Sequence, residues 1–209
     1  MSINHESRNL NRYTTLPVLL DMLRRKKLVL LDPVKWEDKN DAEIILEYKK
    51  KRKIQSLFAV CFGIGDETIH HWKTYSSGIS GCCIEFDENR LLASLAGISE
   101  VRWGEVEYKK LREVQDGPIA IDRIPFTKRW PYRCESEFRV LWEGQTYQES
   151  MDLGINLSSI NKITISQNMP QDIFNTIAEL LRDVTTNPNK KINRSTLYEN
   201  KKWIRAFKQ

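Results

Sequence analysis

Tyr132-Arg133-Cys134-Glu135-Ser136-Glu137-Phe138-Arg139-Val140-Leu141-Trp142 is the stretch on which the reading of this chain turns. Its alternation predicts a strand, and a strand sends successive side chains to opposite faces. Ser136, Phe138, Val140 and Trp142 would share one face, mostly apolar and suited to a core. Glu135, Glu137 and Arg139 would share the other. Two carboxylates and a guanidinium on rigid backbone can form a catalytic floor. The same pattern also fits a solvated strand face stitched by a cross-residue ion pair.

Working outward, other segments read as alternating strands and helices without a regular βαβ rhythm. Arg12-Tyr13-Thr14 is a short first strand, and Thr15 can cap a helix from Leu16 to Arg25, with Pro17 in its first turn. Leu16, Leu19, Leu20 and Leu23 give that helix an apolar stripe. Leu28–Leu31 is a strand, and Ala42–Lys53 a helix, after the polar stretch Trp36-Glu37-Asp38-Lys39-Asn40-Asp41. Ser56–Phe62 reads as a buried strand ended by Gly63 and Gly65. A short helix then places Ile69, Trp72 and Tyr75 on one face. Ser80–Phe86 and Val101–Tyr108 read as strands, as do Lys162–Ser166 and Ile192–Leu197. A helix is expected over Asp172–Asp183 and a turn at Asn187-Pro188-Asn189. Helices early and late around a strand-rich middle predict an α+β fold with mixed or antiparallel sheets. No Gly-x-Gly-x-x-Gly fingerprint or Walker loop is present, so a nucleotide would need another binding design.

The chain has 209 residues, 40% of them hydrophobic, enough for one domain with a proper core. We expect a single domain over residues 1–209, with 1–9 as an N-terminal tail. Mean hydropathy is −0.53, and no apolar run approaches the roughly 20 residues a membrane helix needs. The polar start, Met1–Asn11, carries no signal-like apolar core, so the expected location is cytoplasmic, without membrane partners. Cys61, Cys82, Cys83 and Cys134 form no Cys-x-x-Cys pair, which fits reduced thiols. His70 and His71 diverge by about 100° on a helix, so no metal site is expected. The net charge of +5 and pI near 9.0 are compatible with a nucleic-acid or nucleotide partner. Lys49-Lys50-Lys51-Arg52-Lys53 is an unbroken cationic block, and Lys201–Lys208 mixes cations with Trp203 and Phe207.

The order Arg12-Tyr13-Thr14, Leu-rich helix, Leu28–Leu31, Phe58–Tyr75 with its Gly-acidic loop and Trp72-Lys73-Thr74-Tyr75, Gly81–Phe86, then Trp130-Pro131-Tyr132 before Glu135-x-Glu137-x-Arg139 resembles a bacterial family. That family is known as domain of unknown function twenty-nine seventy-one, and the resemblance runs from about Leu10 to about Ser195. The family is in turn similar to divergent ADP-ribosyltransferases, which hold NAD in a cleft between two small sheets with flanking helices. The resemblance therefore implies NAD as substrate and three key positions. Arg12, beside Tyr13 and Thr14, would be the first, Tyr75 or Ser76 the second, and Glu137 the third, with Glu135 as the preceding carboxylate of a Glu-x-Glu pair. An Arg first residue usually accompanies Ser and a His accompanies Tyr, so this chain mixes two patterns. The resemblance further implies a phage-defence or toxin role, with an inhibitory or antitoxin partner.

The chemistry these residues would serve is cleavage of nicotinamide from NAD through an oxocarbenium-like ribose. Glu137 would stabilise the developing positive charge, and Glu135 would orient or deprotonate the acceptor. Arg12 would grip pyrophosphate or ribose with its forked donors, and Tyr75 would stack on nicotinamide. Lys128, Trp130 and Arg139 are candidates for contacting phosphate or the acceptor molecule, which would be a nucleic acid or a protein. Two other functions compete. One is a non-catalytic nucleic-acid-binding module that uses the basic clusters with Trp203 and Phe207. The other is a metal-dependent nuclease with Glu135 and Glu137 as ligands.

Overall fold

A computed structural model describes residues 8–76 and 78–208. In chain order the elements are β1 (Asn9–Thr15), α1 (Leu16–Arg25), β2 (Lys27–Leu30), α2 (Lys39–Arg52), β3 (Ser56–Ile64) and α3 (Ile69–Tyr75). Next come β4 (Gly81–Asp87), α4 (Glu88–Leu95), β5 (Val101–Glu105), β6 (Glu107–Lys109), α5 (Leu111–Gln115) and β7 (Thr127–Arg129). The chain then forms β8 (Glu137–Gly144), β9 (Met151–Gly154), β10 (Ile160–Ile165), α6 (Gln171–Val184), β11 (Lys191–Arg194) and α7 (Lys201–Ala206). The class is α+β. Among the described residues no helix is long and apolar enough to cross a membrane.

The contacts divide the chain into two compact units. Unit 1 gathers the chain up to Arg25, Gly65–Glu88 and Leu157 onward; unit 2 holds Lys26–Ile64 and Asn89–Asn156. Within unit 1 the strands lie in the order β11–β10–β4–β1, with β10 and β11 parallel and the other pairs antiparallel. Arg12 sits opposite Ile84, and Tyr13 opposite Cys83. Helix α1 buries Leu19, Met22 and Leu23, an i, i+3, i+4 stripe that replaces Leu16 and Leu20 with Met22. Residues 1–7 of the expected tail lie outside the described residues. The rest of that tail is structured: Arg8 pairs with Glu88, and Asn9 opens β1.

Within unit 2, β8 runs between β3 and β5, antiparallel to both. A central strand is covered on both faces, and this one buries Phe138 and Val140 on one side and Glu137, Arg139 and Leu141 on the other. The expected choice between a core face and a solvated face therefore gives way to two buried faces. Leu141 joins Ile45 and Tyr48 of α2, Ile54, Leu57, Ala59 and Phe126 in one apolar cluster, with Trp36 packed against it. Helix α2 begins at Asp38, whose carboxylate accepts from the N–H groups of Asn40 and Asp41, and ends at Lys53 in a left-handed cap. The cationic block Lys49–Arg52 falls in its last turn, where positive charge complements the helix dipole.

Some boundaries depart from the sequence reading. Val101–Tyr108 is two strands: Val106 still donates in register to the Glu137 carbonyl at 2.9 Å, but the Glu137 N–H goes to the Tyr108 hydroxyl and from Glu107 the chain pairs with β7. The expected strand from Glu135 starts at Glu137, since Trp130–Glu135 forms a 3-10 turn capped by Ser136 at φ 40°. Helix α3 buries His71 and Trp72, while Ile69 and Tyr75 of the expected apolar face are exposed.

Candidate functional site

The left-handed Ser136 decides where the two acidic residues go. Without it, Glu135 and Glu137 would project side by side from one strand. With it, Glu135 leaves from the turn and Glu137 from the first position of β8, and both reach the same ammonium group. Lys128 of β7 donates to Glu135 Oε2 at 2.7 Å and Glu137 Oε2 at 3.4 Å, and stands 3.6 Å from Asp41 Oδ2. Its ammonium also lies 4.8 Å from the centre of the Tyr132 ring, a favourable cation–π distance. A serine in left-handed backbone is uncommon, and such strain gathers at functional sites.

Arg139 faces the same group from the other side. Its Nε donates to Glu137 Oε1 at 2.5 Å and its Nη2 to Glu137 Oε2 at 3.0 Å. On its far edge Nη1 and Nη2 form a second fork onto Asp41, with Nη1 to Oδ1 at 3.0 Å, and Nη1 also donates to the Pro125 carbonyl at 2.9 Å. These bonds use all five guanidinium donors. The guanidinium carbon is 5.0 Å from the centre of the Trp36 ring. Arg139 is 0% exposed, so a direct grip on substrate gives way to a role in orienting Glu137.

Five charged side chains, Asp41, Lys128, Glu135, Glu137 and Arg139, are buried together. Three carboxylates stand against two cations, and burial raises the Asp41 pKa above its ordinary value, with Arg139 and Lys128 offsetting only part of that. Burial works against a charged Glu137, yet Arg139 and then Lys128 more than offset it and bring its pKa down to about 2. Burial likewise opposes a charged Lys128, and Glu137, Glu135 and Asp41 outweigh it, raising the ammonium above its ordinary range. Burial, followed by the charge of Glu137, pushes the Cys61 thiol well up and keeps it a protonated neighbour of that carboxylate. The backbone of Glu137 is fixed too: its N–H donates to the Tyr108 hydroxyl at 2.8 Å. Both Glu137 oxygens and one Glu135 oxygen thus already accept from cations, which does not match a divalent-metal ligand pair. Among the described residues no group of His, Cys, Asp and Glu is arranged to hold a metal.

Asp41, Tyr108 and Cys61 were not singled out from sequence. For Asp41 a signal existed. Asp41, Ile45 and Tyr48 follow the i, i+4, i+7 spacing of one helix face, and all three are buried.

Trp130 is half-exposed at the start of the 3-10 turn, with Lys110 Nζ 5.2 Å and Arg133 Cζ 4.9 Å from its ring centre. Lys128, expected with it to contact phosphate or the acceptor, is buried in β7.

Unit 1 holds the remaining candidates. Arg12 and Thr14 point to one face of β1, and Asn11 and Tyr13 to the other. Tyr13 stacks on His71 with ring centres 4.9 Å apart and an interplanar angle of 11°, and meets Trp72 edge-on at 5.8 Å. Burial, with Glu67 and the neighbouring Cys83 adding to it, raises the Tyr13 phenol far above its usual range. The Ser76 hydroxyl lies 2.7 Å from the Thr14 carbonyl and 2.9 Å from the Cys82 carbonyl, with the side chain buried. Ser76 therefore ties β1 to β4, while Tyr75, 45% exposed, is the one of the expected pair that solvent reaches.

No family model matches the chain, and no curated protein matches it. Among solved structures it is similar to complexes of Thermus sp. 2.9 DarT. The complex with NAD+ aligns with a TM-score of 0.45 at 9% identity, covering 91% of this chain and 96% of that one. The complex with ADP-ribosylated ssDNA aligns with a TM-score of 0.47 at 11% identity, covering 91% and 95%. The complex with carba-NAD+ aligns with a TM-score of 0.45 at 9% identity, covering 91% and 96%.

Proposed function

We propose that this chain is an NAD-dependent ADP-ribosyltransferase that modifies a macromolecule. The observation that carries the reading is Glu137: a carboxylate held ionised at the head of a central strand by Arg139 and Lys128. Cleaving the bond between ribose C1′ and nicotinamide sends the electron pair to the nicotinamide nitrogen and leaves positive charge on the ribose. A preorganised carboxylate stabilises that charge without reorganising at the moment of reaction. The acceptor's nucleophilic atom then bonds to C1′ and gives its proton to Glu135, which acts as the acceptor-side base in this reading. Arg12, Tyr13, Thr14 and Tyr75 keep the NAD-binding roles that the family resemblance implies, and Trp130 is kept as an acceptor contact.

A nucleic acid is the acceptor to test first, given the net charge of +5. Such an activity would be toxic if unrestrained. An inhibitory antitoxin partner, a phage-defence setting and a cytoplasmic location belong to the same proposal. The test is incubation of purified protein with NAD+ labelled in its adenosine half, together with single-stranded DNA, RNA or protein. Label entering one polymer supports the reading and names the acceptor; unconsumed NAD+ in every mixture overturns it.

A second reading rests on α7, whose Trp203 is 67% and following Phe207 75% exposed, among Lys201, Lys202, Arg205 and Lys208. Exposed rings beside cations suit base stacking and phosphate contact. Steeply salt-dependent binding of single strands, with no NAD+ consumed, would favour a non-catalytic binding module.

A further inference from the structure

We infer that Asp41 is a positioning residue for Glu137, acting through Arg139; its catalytic consequence rests on the transferase reading above. Arg139 has two donor edges that share Nη2 in one plane, and each holds one carboxylate: Glu137 on the Nε–Nη2 edge and Asp41 on the Nη1–Nη2 edge. The Pro125 carbonyl takes the remaining Nη1 donor. A planar fork fixed at both ends cannot rotate, so the orientation of the Glu137 carboxylate is tied to α2, the element that carries Asp41.

Asp41 in turn is anchored twice. Its backbone N–H is capped by Asp38, and it heads the buried stripe that continues through Ile45 and Tyr48 into the apolar cluster. The charged groups around Glu137 are Asp41 on α2, Lys128 on β7, Glu135 on the 3-10 turn and Arg139 on β8, with the Cys61 thiol and Tyr108 phenol as titratable neighbours. Lys128 also carries positive charge to Glu137. A single ammonium lacks the planar fork that fixes carboxylate orientation. Orientation therefore comes from Arg139 and its anchor.

A buried charge network of this kind gives little net stability over an apolar core of the same shape. What it does supply is geometry, and misplacing a reacting group by about 1 Å can cost on the order of a hundredfold in rate.

The test uses Asp41→Asn in the full chain. The amide keeps one acceptor for Arg139 but turns an N–H against the other donor, which breaks the second fork. Two readouts separate the inference from the reading it rests on. The first is the guanidinium resonance of Arg139 in an isotope-labelled sample. The parent should show separate, slowly exchanging Nη protons, and Asp41→Asn should collapse them while the fold's other resonances persist. The second is nicotinamide release, where kcat should fall on the order of a hundredfold with KM within about twofold. Unchanged Nη protons in the variant, or parent-like kcat, overturn the inference. A parent that releases no nicotinamide overturns the transferase reading alone, and the resonance still decides the positioning. Should Asp41→Asn not fold, Asp41→Glu, which keeps the charge one methylene further out, should show the same loss in kcat at parent KM.

Discussion

Arg139 and Glu137, two residues apart on β8, meet through two nearly parallel hydrogen bonds, Nε to Oε1 at 2.5 Å and Nη2 to Oε2 at 3.0 Å. Residues at that spacing share one face of a strand, so backbone regularity alone brings the pair together. Burial makes the contact consequential, because the low dielectric around it strengthens the attraction and penalises any loss of a partner.

The pair predicts an acid limb of stability. Glu137 titrates near an ordinary 4.5 when unfolded and near 2 when folded. Its contribution is thus complete above about pH 4.5 and is lost as the pH falls through about 2. That difference is worth on the order of 3 kcal/mol. Chemical denaturation at pH values from about 6 to about 2 should show the parent losing that much more stability than Glu137→Gln. Parallel curves for the two proteins would show that the carboxylate is not held as described.

Lys128 and Glu135 should behave as a coupled pair. Replacing Lys128 with Met removes the ammonium 2.7 Å from Glu135 and leaves a buried carboxylate without its near cation. Breaking a buried pair from one side costs about 3–5 kcal/mol. The double variant Lys128→Met with Glu135→Gln should recover a large part of that loss in a denaturant titration. Additive losses would mean the two residues do not interact.

In unit 1 the close approach of Ser76 to β4 makes Gly81 sensitive. A Cβ at position 81 would fall 1.9 Å from the Ser76 carbonyl oxygen, a backbone atom that cannot simply swing away. Gly81→Ala should cost about 2–3 kcal/mol, lowering the melting temperature by roughly 5–10 °C in a chain of this size. Ser76→Ala should cost less, about 1 kcal/mol, through loss of the hydroxyl that bridges Thr14 and Cys82. A neutral Gly81→Ala would show that the loop relaxes freely.

Much of the fold was legible because apolar runs of strand length announce themselves. Leu57–Phe62 and Phe138–Trp142 fall within β3 and β8, and Ser80–Phe86 matches β4 but for Ser80, which lies in the preceding turn. What stayed hidden has local causes. The turn that takes Glu135 off the strand depends on left-handed backbone at Ser136, and only Gly or Asn would have marked it. The break after Val106 comes from the switch of partner at Glu107, which pairs with β7, a strand some twenty residues on. Helix α4 buries Leu91 and Leu95, an i, i+4 pair visible in the sequence but too short to read alone. In the candidate site, the acidic pair was visible, whereas Asp41 left only its place on the stripe with Ile45 and Tyr48 as a signal. A carboxylate at the head of a buried helical stripe looks like an N-terminal charge until its arginine is placed beside it.

The central claim is that Glu137 acts in the transition state of NAD cleavage, and nicotinamide release by Glu137→Gln tests it most directly. The amide keeps size and shape but removes the charge. Release should fall roughly a hundred- to a thousandfold, about 3–4 kcal/mol, while NAD+ affinity changes far less. Parent-like release from an equally folded Glu137→Gln sample would contradict the account.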